Sequence, residues 1–208
     1  MRKSRKIARR IAVLFLPLVV TFAVSGAVDV SKEYIKKAEE YFNAIGTFEA
    51  DFVQIDKHGH GALGHFFLKR PYLMKMDYRD PPTQVIIAKN NKITHYDREL
   101  KEKTETSAYS SPLSFLLEPQ INLERHLKVL AVRDGNDEFS LKLCKKDEET
   151  EWAIILVFAK NPLALKKWIL LEDKKSASAD GNTEVYLRNH KSGHDISDKE
   201  FEKFEVSH

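Results

Sequence analysis

The spacing of hydrophobic positions changes twice along the chain. From Ile11 to Val24 it is almost continuous, with Thr21 as the polar interruption. From Val30 to Ile45 it becomes helical: Tyr34, Ala38, Tyr41, Phe42 and Ile45 fall on one face. Lys36, Lys37, Glu39 and Glu40 fall on the other, which is predicted to be solvated. Ser31 is the expected N-cap, with Glu33 in the first turn, and Gly46 is the expected stop. A helix with a single apolar face must lie on an apolar surface.

Beyond Gly46 the period is two. Phe48, Ala50 and Phe52 alternate with Glu49 and Asp51, and Tyr72, Met74, Met76 and Tyr78 alternate with Lys75 and Asp77. Further strands are predicted at Val85–Ala88, Ile93–Tyr96, Lys128–Val132, Phe139–Leu143, Ala153–Phe158, Leu165–Leu171 and Glu184–Arg188. Turn residues punctuate them: His58-Gly59-His60-Gly61, Asp80-Pro81-Pro82, Asn90-Asn91, Asp134-Gly135-Asn136-Asp137, Asn161-Pro162 and Asp180-Gly181-Asn182. No helix-length segment separates the strands, which excludes parallel crossover units. The exception is Ser110–Leu127, where Leu113, Phe115, Leu116 and Leu117 sit between Pro112 and Pro119 and a second short helix is predicted from Asn122 to Lys128. Such short apolar pieces have to pack on the sheet. The expected fold is therefore mainly β: a curved antiparallel sheet with covering helices.

The first apolar run is different in kind. It follows Arg2, Lys3, Arg5, Lys6, Arg9 and Arg10 and precedes Ser25-Gly26-Ala27. A basic start, a short apolar middle and small residues at the end form the plan of a secretory signal peptide. The run is shorter than a spanning helix requires and contains Pro17. Residues 1–27 are read as a signal peptide cleaved near Ala27, and residues 28–208 as one domain. No cysteine follows the run, so no lipid-attachment site is expected, and export without an anchor implies the periplasm.

This reading changes the meaning of the charge. The chain has 34 Lys+Arg and 31 Asp+Glu, a formal charge of +3. Without the six basic residues of the leader, 28 face 31 and the charge is −3. The basic patch therefore belongs to the leader, and nucleic-acid binding has no support. The lone Cys144 excludes an internal disulfide and is read as a half-buried small residue in a strand. Sequence motifs for a serine nucleophile, a phosphate-binding loop or a dinucleotide site are absent, so no catalytic residue is nominated. His58, His60 and His65 cluster around a turn but lack a fourth ligand, and no metal site or cofactor is assigned.

Gly64-His65-Phe66-Phe67-Leu68-Lys69-Arg70-Pro71-Tyr72-Leu73-Met74-Lys75-Met76-Asp77-Tyr78, then Pro81-Pro82 and Gln84-Val85-Ile86-Ile87, resembles the outer-membrane lipoprotein carrier family, LolA. The resemblance continues through Tyr96-Asp97, Leu100, Thr104, Ser111-Pro112-Leu113, Leu116-Leu117, Asp180, Thr183, Asn189 and Phe201-x-x-Phe204. It also takes in the first helix and Phe48-x-x-x-Phe52-x-Gln54. Thr94 stands where the family has a tryptophan, and Asn90-Asn91 where Asp-Gly is frequent.

The resemblance implies an unclosed half-barrel with an N-terminal helix and short lid helices over an apolar cavity. It implies a monomeric, non-enzymatic carrier. Such a carrier takes acylated lipoproteins from an inner-membrane ABC transporter and delivers them to an outer-membrane receptor. It implies that Arg70 gates the lid by hydrogen bonds to lid backbone. Cavity and lid residues are then Phe48, Phe52, Phe66, Leu68, Met74, Met76, Tyr78, Leu113, Phe115, Leu116 and Leu117. Two alternatives remain open: a carrier that also serves as the outer-membrane receptor, and a periplasmic lipid- or peptide-binding sensor domain of related fold. A hydrolase has no nucleophile motif to support it.

Overall fold

The computed structural model describes residues 30–146, 151–176 and 182–205. The expected signal peptide, Asp180-Gly181 and residues 147–150 lie outside them. Helix α1 spans Val30–Ala44 and buries Tyr34, Ile35, Ala38 and Phe42. Ser31 lies inside this helix rather than ahead of it, so the expected cap is not formed by that residue.

Eleven strands follow: β1 Thr47–Ile55, β2 Gly61–Lys69, β3 Leu73–Asp80, β4 Gln84–Lys89, β5 Lys92–Asp97, β6 Glu102–Ser107, β7 Leu127–Asp134, β8 Glu138–Lys145, β9 Ala153–Lys160, β10 Leu163–Leu171 and β11 Thr183–Ser192. They form one sheet in the order β6-β5-β4-β3-β2-β1-β11-β10-β9-β8-β7, with antiparallel neighbours throughout. Two meanders are thus joined where β1 pairs with β11, with Phe52 opposite Leu187. The sheet does not close, because its edges β6 and β7 pair with no common neighbour. Between those edges in sequence runs a crossing segment containing two 3-10 turns, Ala108–Ser110 and Ser114–Leu117, and helix α2, Leu123–His126.

Most predicted strands are present with longer bounds, but β6 had no apolar signal. All six of its residues are exposed, and backbone pairing to β5 alone makes it a strand. Tyr72 was expected to begin the third strand on its buried face. Instead it occupies the turn before β3, half exposed, at φ 79. Cys144 is buried rather than half-buried, in a small cluster with Ala153, Ile169 and Leu171.

The main core lies on the concave face. Phe48, Phe52, Phe66, Leu68, Met74, Met76 and Tyr78 from the first meander meet Phe139, Leu141, Phe158, Leu165 and Trp168 from the second, with α1 and the crossing segment above them. Gly64 makes one of these contacts possible. A Cβ there would overlap the Phe52 ring and the Asp77 carbonyl oxygen, so only glycine admits the approach.

The convex face carries a second cluster that alternation did not indicate. The C-terminal segment folds back through a 3-10 turn, Asp198–Glu202, and packs Ile196 and Phe201 on Phe67, Val85 and Ile87. Beneath it Lys75 and Asp77, the polar positions of the β3 alternation, are completely buried. Their charges are matched: Lys75 Nζ lies 2.8 Å from Glu200 Oε1 and 3.7 Å from Asp77 Oδ2. Arg98 Nη2 donates to Asp77 Oδ1 at 2.5 Å. Burying a charge in this way is tolerable only with such partners.

Candidate functional site

The site expected from the sequence is an apolar interior beneath a lid gated by Arg70. All eleven expected cavity and lid residues belong to the one concave core. Aromatic contacts cross it: Phe48 to Phe66 at 6.1 Å, Phe66 to Trp168 at 5.5 Å, and Phe42 to both Phe115 and Phe158 at 5.4 and 5.6 Å. Tyr78 is the polar member. Its hydroxyl donates to Gln54 Oε1 at 2.8 Å, and burial pushes its pKa up to about 12 against that bond.

Between α1, the crossing segment and the sheet is a gap of about 10 Å³, lined by Tyr41, Phe42, Ile45, Phe48, Phe66, Leu68, Leu116 and Leu165. That is near the smallest volume that admits one water molecule. Phe48, Phe66, Leu68 and Leu116 reach the gap; Phe52, Met74, Met76, Tyr78, Leu113, Phe115 and Leu117 fill the core around it. Any acyl chain therefore needs the layers to part.

Besides this apolar packing, side chains elsewhere grip the backbone of the crossing segment. Arg70 follows β2 and spans two elements. Its Nη1 donates to Phe42 O at 2.5 Å and Ile45 O at 3.4 Å, at the end of α1. Its Nη2 donates to Glu118 O at 2.9 Å and Pro119 O at 3.3 Å on the crossing segment, and to Asn43 Oδ1 at 3.3 Å. Carbonyls at a helix end lack intrahelical partners and attract a cation, so α1 offers the guanidinium a ready seat. Desolvation by burial holds the Arg70 pKa below its ordinary value. Its Nε is buried with no acceptor among the described residues.

Three further anchors were not nominated from the sequence. Asn43 grips Ile121 twice, donating to its carbonyl and accepting from its N–H, both at 2.8 Å. Glu39, read as solvated, accepts from Leu123 N at 2.7 Å. Tyr72 N donates to Leu117 O at 3.1 Å from its left-handed backbone. A bulky residue rarely holds a positive φ, so local strain accompanies this contact. Glu39 and Asn43 stand one helical turn apart at the border of the apolar stripe, and that spacing was the available signal.

The three histidines do not form one cluster. His58 and His60 flank an exposed turn around Asp56, whereas His65 Nδ1 lies 2.8 Å from Asp51 Oδ1 on the convex face. Asn189 Nδ2 donates to the other Asp51 oxygen at 2.7 Å, from a left-handed backbone at the bulge between β1 and β11. No group of three or more His, Cys, Asp or Glu residues could hold a metal among the described residues.

An unclosed antiparallel sheet whose apolar concave face is capped by a helix and a backbone-pinned segment is a half-barrel of the lipoprotein-carrier type. Residues 43–204 match the family model described as Outer membrane lipoprotein carrier protein LolA, and the chain belongs to that family. An uncharacterized protein, RP864, of Rickettsia prowazekii is 25% identical over 163 residues, 77% of this chain and 75% of that one. The outer-membrane lipoprotein carrier protein of Neisseria meningitidis serogroup B is 32% identical over 107 residues, about half of each chain (51% and 50%). A DUF1329 family protein from Desulfovibrio piger has a similar fold, with TM-score 0.51 at 13% identity over 84% of this chain and 98% of that one.

Proposed function

We propose that residues 1–27 export this protein and that residues 28–208 act as one periplasmic carrier of acylated lipoproteins. The carrier takes cargo from an inner-membrane ABC transporter and yields it to an acceptor at the outer membrane. The crossing segment is its lid, and Arg70 is the gate. The observation that carries this reading is the Arg70 bridge: one guanidinium joins the end of α1 to the backbone of the crossing segment above a tightly packed, mainly apolar interior.

The energetics suit a carrier. Opening exposes Leu113, Phe115, Leu116 and Leu117, each worth about 1.5–3 kcal/mol of burial, so the lid costs roughly 6–12 kcal/mol to lift. Covering an acyl chain gains about 0.8 kcal/mol per CH₂, or roughly 12 kcal/mol for a chain of about sixteen carbons. The two quantities are of one size. Net affinity is a difference, strong enough to accept a multiply acylated cargo and weak enough to surrender it without ATP. Met74 and Met76 add adaptable surface at the sheet.

The direct test is to purify the mature protein from the periplasm and identify bound material by mass spectrometry. Acylated lipoproteins are the expected finding. Protein that emerges without them, and that also fails to release lipoproteins from spheroplasts, would overturn the proposal.

A further inference from the structure

The two edges of the sheet are built differently. Edge strand β6 reads Glu-Lys-Thr-Glu-Thr-Ser and is exposed along its length, with charges of both signs. Edges protected in this way resist pairing with another chain. Edge strand β7 reads Leu-Lys-Val-Leu-Ala-Val-Arg-Asp. Its inner edge pairs with β8; its outer edge pairs with no strand among the described residues.

A register shift between Val129 and Ala131 bulges this strand. Val129 and Val132 face the concave core, opposite Leu143 and Leu141, while Leu130 and Ala131 are exposed. Lys128 and Arg133 are opposite Cys144 and Ser140, on the convex side. The C-terminal segment packs on the convex face of the first meander, from β2 to β5. Beside β7 the same face carries a groove of about 510 Å³ with Leu130, Ile155, Val157 and Ile169 in its floor. Its cations are Arg133, Lys142, Lys174 and Lys175, and no carboxylate lines it among the described residues.

We propose that the outer edge of β7 is a docking site for an extended segment of a partner protein, which adds to the sheet as a further antiparallel strand. Strand addition takes its affinity from main-chain hydrogen bonds and its specificity from alternate side chains. Here the alternation is defined. Residues of the added strand facing inward meet Val129 and Val132 and are apolar. Those facing outward meet Lys128, Arg133 and the cationic groove and are acidic. A second copy of β7 is a poor occupant. The antiparallel register that pairs all eight residues sets Lys128 against Arg133 at both ends of the ribbon, and like charges directly opposite one another are destabilising.

A fluorescein-labelled peptide of alternating Val and Glu is the probe, titrated against the purified mature protein by anisotropy. Binding is expected, with slowed amide exchange in β7. The double variant Arg133→Glu, Lys142→Glu should weaken it about tenfold or more, as should a Val-Lys peptide on the wild-type protein. A Val-Glu peptide with alternate amides N-methylated should not bind, because it cannot form the ladder. Equal binding of the methylated or the Val-Lys peptide would overturn the proposal. So would absence of binding at about 1 mM, a concentration that detects even weak association. A dimer in sedimentation that the Val-Glu peptide dissociates would assign the edge to a second copy instead.

Discussion

Replacing Arg70 by leucine removes the bridge while keeping an apolar stem in place. On the lid side the loss is the pair of bonds to Glu118 O and Pro119 O, of which the 2.9 Å bond has ordinary hydrogen-bond geometry and the 3.3 Å bond is long. A hydrogen bond to a charged donor contributes about 1.5–3 kcal/mol, and here about one such bond is lost. Pro119 lies at the surface, so its carbonyl is rehydrated when the arginine is gone. The closed state should therefore weaken by about 1.5–3 kcal/mol, raising the open fraction roughly 10- to 150-fold. A ligand that binds the open form alone gains apparent affinity by the same factor while that form remains a minority. The assay is equilibrium titration with a fluorescent long-chain acyl probe, followed by stopped-flow transfer to acceptor liposomes. Arg70→Leu should bind the probe more tightly and release it more slowly; Arg70→Lys, with a single donor centre that cannot span both elements, should fall between. Unchanged affinity in a folded Arg70→Leu protein would refute the reasoning and leave Arg70 a structural cap of α1.

Asn43→Ala removes both bonds to Ile121 and should likewise raise acyl-probe affinity, by several-fold, with little change in the melting of the sheet. Gly64→Ala should destabilise the protein by about 3 kcal/mol in urea denaturation, because its Cβ has nowhere to go between Phe52 and the Asp77 carbonyl. Asp77→Ala strips the buried Lys75 and Arg98 of a carboxylate and should cost about 3–5 kcal/mol by the same measurement. Asp51 is held below the usual carboxylate range by the hydrogen bond from Asn189, with burial opposing and His65 assisting. A depressed folded-state pKa gives stability that is full above the unfolded value, about pH 4, and is lost as pH falls through the folded value. Urea midpoints below pH 4 should therefore fall less steeply in Asp51→Asn than in the wild type.

Helix α1 and most of the strands were readable because each has one dry face, and a dry face prints its period on the sequence. Strand β6 has two wet faces and prints nothing. The burial of Lys75 and Asp77 was not legible for the opposite reason. Alternation says which residues share a face, and the convex face is dry here because the C-terminal segment returns to cover it. The packing of Leu113 and Phe115–Leu117 on the sheet was legible from the apolar run between two prolines. Their anchors Glu39, Asn43 and Tyr72 were not, because they hold backbone of the crossing segment, which leaves no mark on the sequence. The family motif clusters around Arg70, in the first meander. Phe139, Phe158 and Trp168 were placed in strands but not in the cavity, since β1–β11 pairing depends on residues far apart in the chain.

The crossing segment is attached at both ends, to β6 on one edge of the sheet and to β7 on the other. A flap fixed at one end swings on a hinge; a strap fixed at both ends can only bow or straighten. The 19 residues from Ala108 to His126 are partly coiled into short helical turns. Fully drawn out, a chain of that length reaches about 60 Å. In the proposed carrier, uncoiling would supply slack as the sheet edges spread, and the mouth would widen by degrees. The size of what such a carrier could enclose would then be set by strap length and sheet curvature acting together, as the girth of a drawstring bag is set by its cord.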